Sequence, residues 1–145
     1  MAIHEIVPYL SVNQAEEAVA FYSLVFQTTP SLLLKMPDGR IMHCEFRIGG
    51  SRFFLSEELP EHGGTPSPLK LGATSVALHL YIEDCDAMVK RMAAQGAEVL
   101  MEPMDMFWGE RFGRVRDPFG HEWGLATTLR EMTSDEIQAA AAQAL

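Results

Sequence analysis

Laid on itself at an offset of 70 residues, the chain repeats its own pattern. Val12 falls on Ile82, the stretch after Asn13 on the stretch after Glu83, Gly39 on Gly109, and Gly50 on Gly120. Few residues are identical; what recurs is the order of apolar alternation, helical spacing and turn glycines. One gapless offset that superposes two strands, a helix and two turns predicts a duplicated unit. The expected fold is therefore α+β: two tandem β-α-β-β-β modules whose curved mixed sheets enclose a cavity, plus a C-terminal helix.

Within the second copy, residues 73–82 alternate strictly, with Val76, Leu78, Leu80 and Ile82 on one face and Ser75, Ala77, His79 and Tyr81 on the other. Residues 5–12 do the same, with Ile6, Pro8, Leu10 and Val12 opposite Glu5, Val7, Tyr9 and Ser11. Asn13 is placed to cap a helix from Gln14 to about Gln27, whose apolar face is Ala15, Ala18, Val19, Tyr22, Val25 and Phe26. Met36-Pro-Asp-Gly39 reads as a turn between strands at about 31–36 and 41–48. Gly49-Gly50 reads as a two-residue hairpin loop, which sets Ile48 against Ser51, Arg47 against Arg52, Glu45 against Phe54 and His43 against Ser56.

Residues 58–73, rich in proline and glycine, read as a linker without regular structure. A helix over 84–95 enters through Asp84 and stops at Gly96. A strand near 97–102, a loop over 103–111, and strands at 112–117 and 121–127 follow. Thr133 with Glu136 forms a capping box for the last helix. The expected organisation is one domain, 1–145: module 1 at about 3–58, linker 59–73, module 2 at about 74–128 and a C-terminal helix at 133–144.

The net charge of −9 and the lack of any clustered cations argue against nucleic-acid and anionic-membrane partners. No apolar run approaches membrane-spanning length and the N-terminus does not read as a secretory signal, so a cytoplasmic protein is expected. Cys44 and Cys85 are too few for a disulfide framework and make no spaced metal motif; both read as buried thiols.

The apolar sets Ile6/Leu10/Val12, Met42/Cys44/Phe46, Phe53/Leu55 and Val76/Leu78/Leu80 are expected to pack beneath the helices, with Trp123 beside them. The opposite faces are mixed and polar, which suits sheets that curve around a wet cavity better than flat ones.

The segments Val7-Pro-Tyr-Leu-Ser-Val12, Ala18-Val-Ala-Phe-Tyr22, Pro37-Asp-Gly-Arg40, Leu78-His-Leu-Tyr-Ile-Glu-Asp84 and above all Arg116-Asp-Pro-Phe-Gly-His-Glu-Trp123 resemble the vicinal oxygen chelate superfamily of glyoxalases, bleomycin-resistance proteins and dioxygenases, in its PhnB-like branch. The resemblance covers about residues 3–128. It implies paired modules forming a U-shaped cavity, commonly completed in a homodimer. In the metal-using members each module supplies one ligand from its first strand and one from its last. Those positions fall here on Val7, Phe54, Ala77 and Gly124, none of which can bind a metal through its side chain. No cofactor is expected, and the glyoxalase, lyase and dioxygenase chemistries that rest on the metal lose their basis.

Two residues along the same faces lie Tyr9, Ser56 and His79, with His43 beside Ser56 by the hairpin count and Glu45 and Glu122 nearby. Imidazole and carboxylate can exchange protons near neutrality, so His79, His43 and Glu45 are the acid–base candidates. The expected ligand-binding set is Tyr9, His43, Ser56, His79, Tyr81, Trp108 and Glu122. Trp108, Phe107 and Phe112, with Met104 and Met106, read as an adaptable apolar lid or a dimer contact. Arg47 facing Arg52 calls for a counter-charge, and Glu122 is the repeat partner of Arg52. The favoured reading is a protein that binds a small organic ligand without a metal. The alternative is a lyase or isomerase using His79 with a carboxylate, or a relocated metal at His43, Glu45 and His79.

Overall fold

The computed structural model describes all 145 residues. The chain divides into two compact units, 1–74 and 75–145. In the first, β1 (Tyr9–Val12), α1 (Ala15–Val25), β2 (Leu32–Lys35), β3 (Ile41–Ile48) and β4 (Ser51–Glu57) form a sheet of order β1-β4-β3-β2 with one helix. A short helix α2 (Pro68–Leu71) follows. The second repeats the plan with β5 (Ala77–Tyr81), α3 (Cys85–Ala94), β6 (Glu98–Asp105), β7 (Glu110–Arg116) and β8 (Glu122–Thr128), in the order β5-β8-β7-β6, and adds α4 (Ser134–Ala144). In each sheet the first strand runs parallel to the last and the other pairs are antiparallel. The fold is α+β with tandem modules. No helix is long and apolar enough to cross a membrane.

The 70-residue offset holds in the register itself. Leu10 pairs with Leu55 in the first sheet, and Leu80 with Leu125 in the second. Buried Ala15, Ala18 and Tyr22 of α1 fall on buried Cys85, Met88 and Met92 of α3. The repeat is not gapless, however. Phe46 pairs with Phe53, but Val115, not Arg116, pairs with Trp123. The second hairpin closes with Arg116 opposite Glu122 around the turn 117–121, where the first closes with Ile48 opposite Ser51 around Gly49-Gly50. That change in loop length slips β7 by one residue against the repeat. The glycine match at 50 and 120 fails with it: Gly49 and Gly120 carry the positive φ.

The turn at 117–121 is built around one buried carboxylate. Asp117 accepts the backbone N–H groups of Phe119 and His121 at 3.0 Å and the Trp123 indole N–H at 2.9 Å. Trp123 is buried as expected, and its one polar atom is satisfied there. The residue types at two positions of Asp-Pro-Phe-Gly-His-Glu-Trp, Asp117 and Trp123, are thereby accounted for.

The first module's core is aromatic. Phe46 stacks on Phe53 with 5.3 Å between ring centres, and Tyr22 meets Phe53 edge-on at 5.4 Å. Several sequence expectations are corrected. Pairing in β1 begins only at Tyr9, so Ile6 is 89% exposed and Leu10 and Val12 carry the core face. A register shift between Leu34 and Lys35, which pair with His43 and Ile41, turns Ile41 inward and leaves Met42 54% exposed. Val76 precedes β5 and is 64% exposed. Asn13 does not cap α1: Gln14 precedes it without a side-chain bond, and the Ala15 N–H instead reaches the Glu57 carboxylate at 3.3 Å from the neighbouring strand.

The stretch 58–73 is not irregular throughout, since Pro60–His62 makes a 3-10 turn and Ser67 caps α2 by accepting the Lys70 N–H. The loop expected over 103–111 is mostly strand, because β6 runs to Asp105 and β7 starts at Glu110. Asp84 caps α3 and Thr133 with Glu136 closes its capping box, both as read. Both cysteines are free and buried.

Candidate functional site

The hairpin register set by Gly49-Gly50 places Glu45 opposite Phe54 and Arg47 opposite Arg52, as the sequence required. The parallel pairing of β1 to β4 then sets Tyr9 beside Phe54 and Ser11 beside Ser56. On this face Tyr9, from β1, and His43, from β3, meet. The Tyr9 hydroxyl lies 2.6 Å from His43 Nδ1, and His43 Nε2 lies 2.8 Å from Glu45 Oε2. With a neutral imidazole, the chain is satisfied when Tyr9 O–H donates to Nδ1 and Nε2–H donates to Glu45. Both rings pack edge-on against Phe54, at 5.5 and 4.9 Å.

Arg52 closes the cluster. Its Nε donates to Glu5 at 2.6 Å, its Nη1 lies 3.7 Å from Glu45, and its guanidinium carbon sits 5.2 Å from the centre of the Phe54 ring. Burial raises the Tyr9 pKa; the charge on Glu45 adds to this and a hydrogen bond with Ser56 opposes it. The phenol therefore keeps its proton.

Tyr9 also opens onto a groove of about 480 Å³, a volume usual for small-molecule sites. Its walls carry the hydroxyls of Tyr9, Ser11 and Ser56 and the apolar chains of Met36, Met42 and Leu59. The segment 59–65 folds over it, held where the Ser11 hydroxyl donates to the Thr65 carbonyl and the Gly64 N–H donates to Leu59. Gly64 is required there, because a Cβ would stand 2.9 Å from the Leu59 carbonyl oxygen. His43 and Glu45 do not line the groove; Tyr9 is the end of the chain that reaches it.

The second module arranges its residues differently. His79 occupies the repeat position of Tyr9, but its ring neighbours are Tyr81 at 4.9 Å and Phe112 at 5.5 Å. Of the two candidate histidines, His43 is the one paired with a carboxylate. Tyr81 and Trp108 line a separate, more open groove with Glu110, Thr128, Arg130 and Met132. The Trp108 indole N–H donates to Glu110 at 2.7 Å, and its ring lies 4.9 Å from Phe107. Glu122 is bound to Arg114 at 2.6 Å and Arg116 at 3.2 Å, while Arg52 takes its counter-charges from Glu5 and Glu45. Each of the two residues takes counter-charges within its own module.

The four inherited ligand positions do not fit a metal. Phe54 is enclosed by Tyr9 and His43 beneath the Arg52 guanidinium, a cation that would repel another. At Gly124 a Cβ would stand 2.7 Å from His79 Nδ1, so the His79 ring fills the space a ligating side chain would need. No three His, Cys, Asp or Glu side chains are grouped to hold a cation.

Sequence reasoning missed Met42, Met36 and the 59–65 segment. Met42 alternates as a core residue and only the register shift in β3 turns it outward, while the segment that covers the groove carries no periodic signal.

Duplicated four-stranded modules of this kind define an α+β fold of tandem modules. The chain belongs to the Glyoxalase/Bleomycin resistance protein/Dioxygenase superfamily, which residues 2–125 match. It is 40% identical over 135 residues to protein Mb0911c of Mycobacterium bovis, covering 92% of this chain and 89% of that one. Among solved structures it is similar to protein PA1353 of Pseudomonas aeruginosa, with a TM-score of 0.69, 24% identity and coverage of 87% and 98% of the two chains. It is also similar to a PhnB protein of Bacillus cereus, with a TM-score of 0.67, 22% identity and coverage of 86% and 100%.

Proposed function

We propose that this protein binds a small organic ligand, without a metal, in the groove of its first module. The observation that supports this best is the 480 Å³ groove, whose lining mixes hydroxyls such as those of Tyr9, Ser11 and Ser56 with the apolar chains of Met36, Met42 and Leu59. Such a lining suits a ligand with an oxygen-bearing end and an apolar body, and unbranched methionines adapt to its shape. An NMR titration against small aromatic and aliphatic acids, alcohols and ethers tests it. Shifts are expected to cluster at residues 9–11, 36–42 and 56–65, and Met42→Lys, which fills the groove with charge, is expected to abolish them. Shifts scattered over the surface, or unchanged by that substitution, would refute the proposal.

The lyase or isomerase reading keeps one specific support, the hydrogen-bonded Tyr9, His43 and Glu45, and in it His43 takes the role first given to His79. We further propose a cytoplasmic homodimer. The outer strand β2 presents Leu32, Leu33 and Leu34 at 39–44% exposure, and a two-fold axis would pair this edge with its own copy. Light scattering is expected to give twice the chain mass, and Leu33→Lys to halve it; a native monomer would end the dimer proposal.

A further inference from the structure

We propose that the groove takes a weakly acidic ligand, a phenol or enol, and that its proton passes through Tyr9 to rest on His43. The inference depends on the groove being the binding site and goes on to say what kind of ligand it selects. Tyr9 is the member of the hydrogen-bonded chain that lines the groove, while His43, 2.6 Å from it, and Glu45, 2.8 Å further on, are connected to the groove through its hydroxyl and are themselves part-buried, 19% and 20% exposed. With Tyr9 O–H turned to His43 Nδ1, the phenol oxygen offers its lone pairs to the groove. A bound O–H can then donate to Tyr9.

The transfer balances without any further reagent. The ligand O–H bond breaks and its proton joins Tyr9 Oη, while the original Tyr9 proton moves to His43 Nδ1. The products are a ligand anion, a restored Tyr9 phenol that now donates to that anion, and an imidazolium whose Nε2–H is held by Glu45. The Tyr9 phenol relays the proton and does not serve as the base, consistent with a hydroxyl whose pKa is raised.

The surrounding charges favour this end state. Facing the pair are Glu5 from the segment before β1, Glu45 from β3 and Arg52 from β4, one cation among two anions joined by contacts of 2.6 and 3.7 Å. Arg47, exposed and opposite Arg52 on the same face, is a second cation, so the group that favours an imidazolium is Glu45, in direct contact with Nε2 at 2.8 Å. The second module carries no equivalent chain, since Phe112 packs against His79 where His43 meets Tyr9. The function is thereby assigned to one half of the duplication.

4-Nitrophenol is the test probe, because its anion absorbs at a longer wavelength than the neutral form, and 4-nitroanisole is its non-ionising counterpart. At neutral pH, where an ordinary imidazole is mostly unprotonated and free 4-nitrophenol is only partly ionised, the native protein is expected to bind it and display a bound-anion band beyond the anion absorbance of the free probe. Tyr9→Phe and His43→Gln are each expected to abolish the band, and Glu45→Gln to weaken anion binding by roughly tenfold or more, the loss of a charged hydrogen bond. His43→Gln should still bind 4-nitroanisole as the native protein does, which shows that the groove has survived the substitution. If 4-nitroanisole binds but 4-nitrophenol is excluded, binds as the neutral form, or keeps its band in His43→Gln, the proton transfer is overturned and the groove reading stands. If neither probe binds at its solubility limit, both fall.

Discussion

Two adjacent glutamates at the end of β4 respond to pH in opposite directions. Glu57, partly buried against the start of α1, has its pKa raised by burial first, with Glu17 and Glu58 adding to the effect and the Ala15 N–H opposing it. Its stabilising contribution is full below the unfolded carboxylate range, around pH 4, and is lost as pH rises through the elevated folded value. Glu58 is lowered by its hydrogen bonds with Ser67, so its contribution is present above that range and lost as pH falls through the folded value. In urea titrations, Glu57→Gln is expected to be neutral or stabilising at pH 7, since the amide oxygen still accepts from Ala15. Glu58→Gln is expected to flatten the acid side of the profile. The same slope for both variants would contradict these assignments. Asp117 offers a larger effect: an Asn there has one oxygen for two acceptor places, so keeping the two backbone bonds turns its NH2 donor against the Trp123 N–H, and Asp117→Asn is expected to cost about 2 kcal/mol by urea midpoint.

Helix α4 buries no residue, so its ends, not its packing, decide whether it forms. Removing the Thr133 side chain breaks the bond from the Glu136 N–H and is expected to cost about 1 kcal/mol of local helix stability. Amide exchange at 134–138 should speed up in Thr133→Ala while the global urea midpoint stays put; a shifted midpoint would mean that α4 supports the core. This element was legible because its signal is local, an N-cap three residues from its partner. The Gly49-Gly50 register was legible for the same reason, and it carried the facing of Arg47 and Arg52, while the side-by-side placement of His43 and Glu45 follows from the period of two along β3. What was not legible depends on partners far along the chain. Glu57 caps α1 from 42 residues away, and the register shift opposite Leu34 and Lys35 moves Ile41 in and Met42 out against the apparent alternation. The longer turn at Asp117 likewise breaks a repeat that looks gapless in sequence. Of the candidate site, the polar layer could be read from period-two facing, but the segment over the groove and the aromatic partners of His79 follow only from tertiary packing.

Across the whole chain, each unit carries one buried thiol, at positions that the repeat does not relate: Cys44 on the core face of β3 and Cys85 at the start of α3. Burial pushes the Cys44 thiol up to about 11, with Glu45 adding to the shift, so little thiolate exists at neutral pH even where reagent arrives. Native protein is expected to react with a thiol reagent at neither position on the timescale on which denatured protein reacts at both. Slow labelling then reports the opening free energy of each unit separately. Phe53→Ala removes the ring that stacks on Phe46 and meets Tyr22, a loss of about 3–5 kcal/mol. It should raise the labelling rate of Cys44 by roughly a hundredfold or more. Met92→Ala, at a fully buried position of α3, should do the same for Cys85 with a cost of about 2–5 kcal/mol. Mass spectrometry of the two cysteine-bearing peptides after a timed pulse distinguishes the sites. An unchanged Cys44 rate in Phe53→Ala would show that this aromatic cluster does not hold the first unit closed.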